Sequence, residues 1–152
     1  MMLSKLKNRM KTAILISVNE EKINLPELIK YLKSNDHFYW PLNRIINPNK
    51  FNFPINCYLH ICKADTAYKL TIESIMRYSK DLFNKINKPK ILSKEILEKF
   101  RKLDTNECKR KGIMIISSIS KLNEPIKTSS LQTRRGAFVV FAPQQYYEIQ
   151  EP

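Results

Sequence analysis

INCYLHICKADTAYKLTIESIMRYSK, residues 55–80, decides how the chain is read. In its first half Cys57, Leu59 and Ile61 point one way, with Tyr58, His60 and Cys62 opposite. A short polar turn follows at Lys63 to Thr66. Beyond it Tyr68, Leu70, Ile72 and Met76 share one face, and Lys69, Thr71, Glu73 and Arg77 share the other. A period of two marks half-buried strands, so the stretch predicts a β-hairpin against whose apolar face a core must form.

Working outward, Ala13 to Val18 predicts a buried strand. A helix follows, with Asn24 as N-cap and Glu27 three residues on, Ile23 and Leu28 placed to staple its start, and Pro26 in the first turn. Leu25, Leu28, Ile29 and Leu32 form its apolar face, and it is expected to stop near Ser34 or Asn35. Asp36 to Pro54, DHFYWPLNRIINPNKFNFP, predicts a turn-rich extended loop with one short strand. Phe38, Tyr39 and Trp40 in succession cannot all face a core, so at least one belongs at the surface or in a pocket wall. On the far side, Leu82 and Phe83 end a segment that runs into a basic loop, Lys85, Lys88 and Lys90. Ser93 then caps a second helix whose face is Ile96, Leu97, Phe100 and Leu103, with Leu92 stapled to Leu97. Asp104 to Lys111 predicts a polar loop, Gly112 to Ile119 a strand, Lys121 to Thr133 a loop and Ala137 to Ala142 the last strand. Helices and strands mix without regular βαβ alternation, which favours an α+β fold on a mostly antiparallel sheet with flanking helices. Curving into a partly open barrel would dispose of the sheet's edges.

The length of 152 residues predicts one domain, residues 12–152, behind a basic arm, residues 1–11. A hydrophobic share of 43% is enough for a folded core. Lys and Arg number 27 against 14 Asp and Glu, a formal net charge of +13. Charge of this size and sign points to a polyanionic partner, nucleic acid first. Lysines scattered for solubility in an Ile-, Asn- and Lys-rich composition are the plainer explanation that a site must beat. Two glycines leave no room for a phosphate-binding Gly-rich loop. Cys57, Cys62 and Cys108 show no C-x-x-C spacing, and His37 and His60 no paired ligand spacing, so reduced thiols, no metal and no cofactor are expected. No apolar run approaches the ~20 residues of a membrane span, and MMLSKLKNRMK lacks the pattern of a signal peptide, so no membrane partner and a cytoplasmic location are expected.

Three segments together resemble the PUA-like superfamily, within it the EVE and ASCH group of small domains. They are the opening TAILISV with its helix, the hairpin CYLHICKADTAYKLTIESIMRYSKDLF, and the ending GIMIISSISKLNEPIKTSSLQTRRGAFVVFAPQQYYEI. The resemblance implies a PUA-like barrel with a concave pocket that takes RNA or a modified or flipped base. Cations for the backbone and π-faces for stacking suit such a ligand. The candidate residues are Tyr39 and Trp40, with Asn43 and Arg44 nearby, and Arg134 with Arg135 before the expected last strand. The resemblance also implies a rival, an ASCH-like hydrolase of a modified nucleobase or nucleoside. Lys69, Thr71 and Glu73, on one face of a strand, are the residues that could imitate its Lys, Thr and carboxylate. Alternating polar residues are also simply the wet face of a sheet. A protein–protein interaction module is the third reading.

Overall fold

A computed structural model describes residues 11–61, 65–86, 90–140 and 146–152, the side chain of Ile86 excepted. Most of the basic arm, Cys62, Lys63, Lys88 and the end of the expected last strand lie outside them. The strands are β1 (Thr12–Val18), β2 (Phe38–Leu42), β3 (Ile55–Ile61), β4 (Thr66–Arg77), β5 (Gly112–Ile126) and β6 (Tyr146–Gln150). The helices are α1 (Leu25–Leu32), α2 (Lys80–Ile86), α3 (Lys94–Arg101) and the single turn α4 (Thr105–Cys108), with 3-10 turns at Pro48–Lys50 and Thr128–Ser130. The fold is α+β. Its six-stranded sheet runs β2-β5-β4-β3-β1-β6. β1 and β3 are parallel, and the other ladders are antiparallel. Among the described residues no ladder joins β2 to β6, so the sheet is open and not a closed barrel.

The hairpin forms as β3 and β4, with Cys57 opposite Leu70 and Ile55 opposite Ile72. Cys57, Leu59, Ile61, Tyr68, Leu70 and Ile72 are buried on the main core face. The alternation then shifts: Ile75 is buried and Met76 only half-buried. An irregularity in the β4–β5 ladder between Ile72 and Ser74 turns the strand, as a bulge does. Helices α1 and α2 cover this face, packing on β5 and β2. Tyr78, Phe83 and Phe100 form a ring cluster with centroids 5.5–5.7 Å apart, and the Tyr78 hydroxyl donates to the Phe100 carbonyl at 2.9 Å.

β1 is buried on both faces over Ala13 to Leu15, which is why Ala13 to Ile16 reads as an unbroken apolar run. Ile14 and Val18 join the main core, while Ala13 and Leu15 join a second cluster with Tyr58, Leu131, Val139 and Ile149. The chain after β5 folds back to cover this second face. There Thr128 Oγ1 lies 2.7 Å from His60 Nδ1 and 2.8 Å from Thr66 Oγ1. Thr66, expected in a turn, is thus a buried strand residue satisfied by this network.

Both long-signalled helices start at the expected caps. Asn24 Oδ1 accepts from the Glu27 amide at 3.1 Å, and Ser93 Oγ from the Ile96 amide at 3.2 Å. The two starts are also tied to each other: the Asn24 amide donates to Ile91 O and the Ser93 amide to Lys22 O. Four expected boundaries are corrected. Lys85 lies in α2, not in a loop. Asp104 and Glu107 form a reciprocal capping box that turns part of the expected polar loop into α4. β5 continues past Ile119 to Ile126, through Pro125. β4 pairs with β5 at Lys121 and again at Ile126, with a register irregularity between, so Pro125 has no ladder partner among the described residues, a place that tolerates proline. Finally, Phe138 forms only an isolated bridge to Gln132, and the last strand is Tyr146–Gln150, paired with β1. Residues 132–134 lie along the outer edge of β6, with Arg134 N donating to Glu148 O and Gln150 N to Gln132 O. Gly136, at φ 90°, makes the turn that allows this, a conformation costly for other residues.

Candidate nucleic-acid interface

Loops at the ends of β2 and β6 carry the candidate cations. Arg44 follows β2 in a loop held by the Ile45 amide, which donates to Arg110 O at 2.9 Å. Gly112 makes that seat possible, since a Cβ there would lie 3.1 Å from Ile45 Cα. Arg134 and Arg135 occupy the turn before Gly136, beside β6. In strand order β2 and β6 are the two edges of the sheet. Yet Arg44, Arg134 and Arg135 line one concavity of about 700 Å³, together with Tyr146, Tyr147 and Glu148. The edges therefore approach each other there, without pairing.

Two further concavities share residues with this one, and a third shares a residue with one of those two. Arg44 also lines a recess of about 530 Å³ with Asn43, Lys109, Arg110 and Lys111. Asn43 in turn lines a smaller pocket of about 340 Å³ with Trp40, Lys22 and Lys99. On the other side, Arg134 lines a groove of about 680 Å³ with Lys11, Lys50 and Phe51. That groove also contains Glu151, whose carboxylate accepts from Asn56 Nδ2 at 3.0 Å and from the Tyr58 hydroxyl. Burial, and then the Glu151 hydrogen bond and charge, hold the Tyr58 phenol well above its ordinary value, so it stays a donor. The groove mixes both signs of charge, whereas the recess beside Arg44 has only cations among its charged residues.

The six candidate residues thus divide. Arg44, Arg134 and Arg135 come together; Trp40 and Asn43 come together one pocket away; Tyr39 is half-buried against the core and lines none of these four concavities. Trp40 is 7% exposed and belongs to the core, with only part of it in the pocket wall. The aromatics beside the arginines are Tyr146 and Tyr147 of β6, which are not among the six candidates. Lys109, Arg110 and Lys111, at the end of the expected polar loop, are brought beside Arg44 by the tertiary fold alone. Lys69, Thr71 and Glu73 do share a face. Each engages a neighbouring strand: Lys69 Nζ lies 6.0 Å from the Tyr58 ring centre, Thr71 Oγ1 accepts from Ser118 Oγ at 2.9 Å, and Glu73 Oε2 from Ser117 Oγ at 2.7 Å.

Fold and site define an α+β protein with an open six-stranded sheet and a set of adjoining, mainly basic concavities at its converging edges. No protein-family model, curated protein or solved structure matches the chain. No helix among the described residues is long and apolar enough to cross a membrane.

Proposed function

We propose that the protein is a PUA-like, cytoplasmic nucleic-acid-binding module that holds RNA, or a modified base in a strand, across the concavity of Arg44, Arg134 and Arg135. One observation carries the reading: three arginines from opposite edges of the sheet meet beside two tyrosines in a single hollow. Guanidinium groups suit phosphate oxygens, and tyrosine rings suit unpaired bases. The recess with Lys109, Arg110 and Lys111 continues the path for the backbone. Solubility alone would scatter these charges; it does not call for their convergence.

The test is fluorescence anisotropy with labelled single-stranded RNA at several salt concentrations. Log K is expected to fall with log salt at a slope of about −0.7 per phosphate neutralised. Arg135→Ala should lower affinity and make that slope shallower by about one phosphate's share. No binding at low salt, or binding indifferent to salt, would refute the proposal. The interaction-module reading has one point in its favour, the exposure of Phe138 (61%) and Val140 (83%). Among the described residues these two side chains alone are large, apolar and exposed, short of the contiguous patch of a few hundred Å² that marks a docking face.

A further inference from the structure

The pocket around Trp40 differs in kind from the arginine concavity. It is the smallest of the four, about 340 Å³, near the low end of the ~300–1,000 Å³ range of small-molecule sites. Its walls come from the end of β1, from β2 and from α3. Trp40, Leu92, Ile96 and Phe100 give it an apolar body. Its polar groups include Asn43, Lys22, Glu95 and Lys99.

The charges there do not balance. Lys22 and Glu95 pair with each other at 3.6 Å. Lys99 Nζ donates to the neutral Asn43 Oδ1 at 2.7 Å and lies 6.0 Å from the Phe100 ring centre. Its ammonium is held below the ordinary lysine value, first by desolvation and then by the positive charges of Lys111 and Lys22, with Glu95 opposing. An anion at Lys99 would relieve that repulsion, while the apolar walls call for a ring and not a bare ion.

From this juxtaposition of an apolar-walled pocket and an amide-anchored lysine at its polar side we infer a site for a phosphate-bearing nucleotide, its ring against the accessible edge of Trp40 and against Ile96, and its phosphate on Lys99. Two sources carry this chemistry: a free nucleoside monophosphate, or the phosphorylated end of a strand. Only the second rests on the strand-binding reading above.

Trp40 is the sole tryptophan, so its emission reports on this pocket directly. The 152-residue chain is titrated with each ribonucleoside 5′-monophosphate, with the matching nucleosides, and with one RNA decamer bearing either a 5′-phosphate or a 5′-hydroxyl. A saturable change in Trp40 emission is expected with a monophosphate or with the phosphorylated decamer. The matching nucleoside or hydroxyl end should bind about tenfold more weakly or worse, as a lost charged hydrogen bond predicts. Lys99→Gln should produce a loss of similar size. Asn43→Ala, which frees the Lys99 amine, is a second variant should the first not fold. A response to monophosphates identifies the free ligand as a source; a response confined to the phosphorylated decamer identifies the strand end. The inference fails if neither changes the emission, if phosphate makes no difference, or if a folded Lys99→Gln protein binds as before. Decamer anisotropy, run in parallel, separates this failure from that of the strand-binding reading: decamers that bind while Trp40 stays silent overturn the pocket alone.

Discussion

Trp40 is both core and pocket wall, and this sets how it can be tested. Its burial predicts that Trp40→Ala costs about 3–5 kcal/mol, the range for large aromatic truncations in a core. Urea unfolding monitored by circular dichroism measures it; a cost under about 0.5 kcal/mol, as at a surface site, would place the side chain outside the core. Tyr78 makes a different prediction. Burial pushes its phenol up to about 12, with the charge of Cys108 adding to this. A folded value above the unfolded value of ~10 means that the folded state keeps its proton longer. The stability this contributes is complete below pH ~10 and is lost as pH rises toward 12. Urea midpoints should therefore decline as pH rises from ~10 toward 12. Tyr78→Phe should make that decline shallower; an unchanged decline would assign it to other groups, such as Tyr58 and Tyr68, whose phenols burial also raises.

At the level of elements, the shift in β4 decides which neighbouring residue holds the core. Ile75→Ala should cost about 2–5 kcal/mol and Met76→Ala clearly less. Strict alternation from Tyr68 would reverse that order, so paired urea titrations distinguish the two registers. The start of β5 positions the Arg44 loop in a comparable way. A methyl group at Gly112 would press on Ile45 Cα, which is backbone and cannot swing aside. Gly112→Ala is thus expected to destabilise the fold and to weaken RNA binding through displacement of Arg44. If RNA binding stays at the wild-type level in the folded variant, the loop does not depend on this contact.

For the whole molecule the net charge of +13 acts twice. Self-repulsion destabilises the compact state, and salt screens it over a Debye length of about 10 Å at 0.1 M. The melting temperature of the free protein should therefore rise from low salt to ~0.15 M. RNA added at a hundred times its Kd should stabilise by about 2.7 kcal/mol, or roughly 5–10 °C for a chain of this size. That second gain should shrink as salt rises, because the same ions compete for the arginines. A gain independent of salt would argue against contacts between the arginines and the RNA phosphates. Differential scanning calorimetry resolves both trends.

The hairpin, the two capped helices and the α+β class were legible in the amino-acid sequence because each depends on near neighbours: a period of two, or a cap side chain three residues from its amide. The basic charge was legible by counting. What closes the order of strands was not. Residues 137–142 are as apolar as a strand, yet Tyr146–Gln150 takes the edge of β1, where Ile149 faces Ala13 and enters the second cluster. Strand propensity cannot say which of two segments wins an edge; packing on the far side of the sheet does. The convergence of Arg44 with Arg134 and Arg135 lies at the same level. Their loops are distant in the chain and at opposite ends of the strand order, and only the approach of the sheet's two edges brings those charges into one hollow.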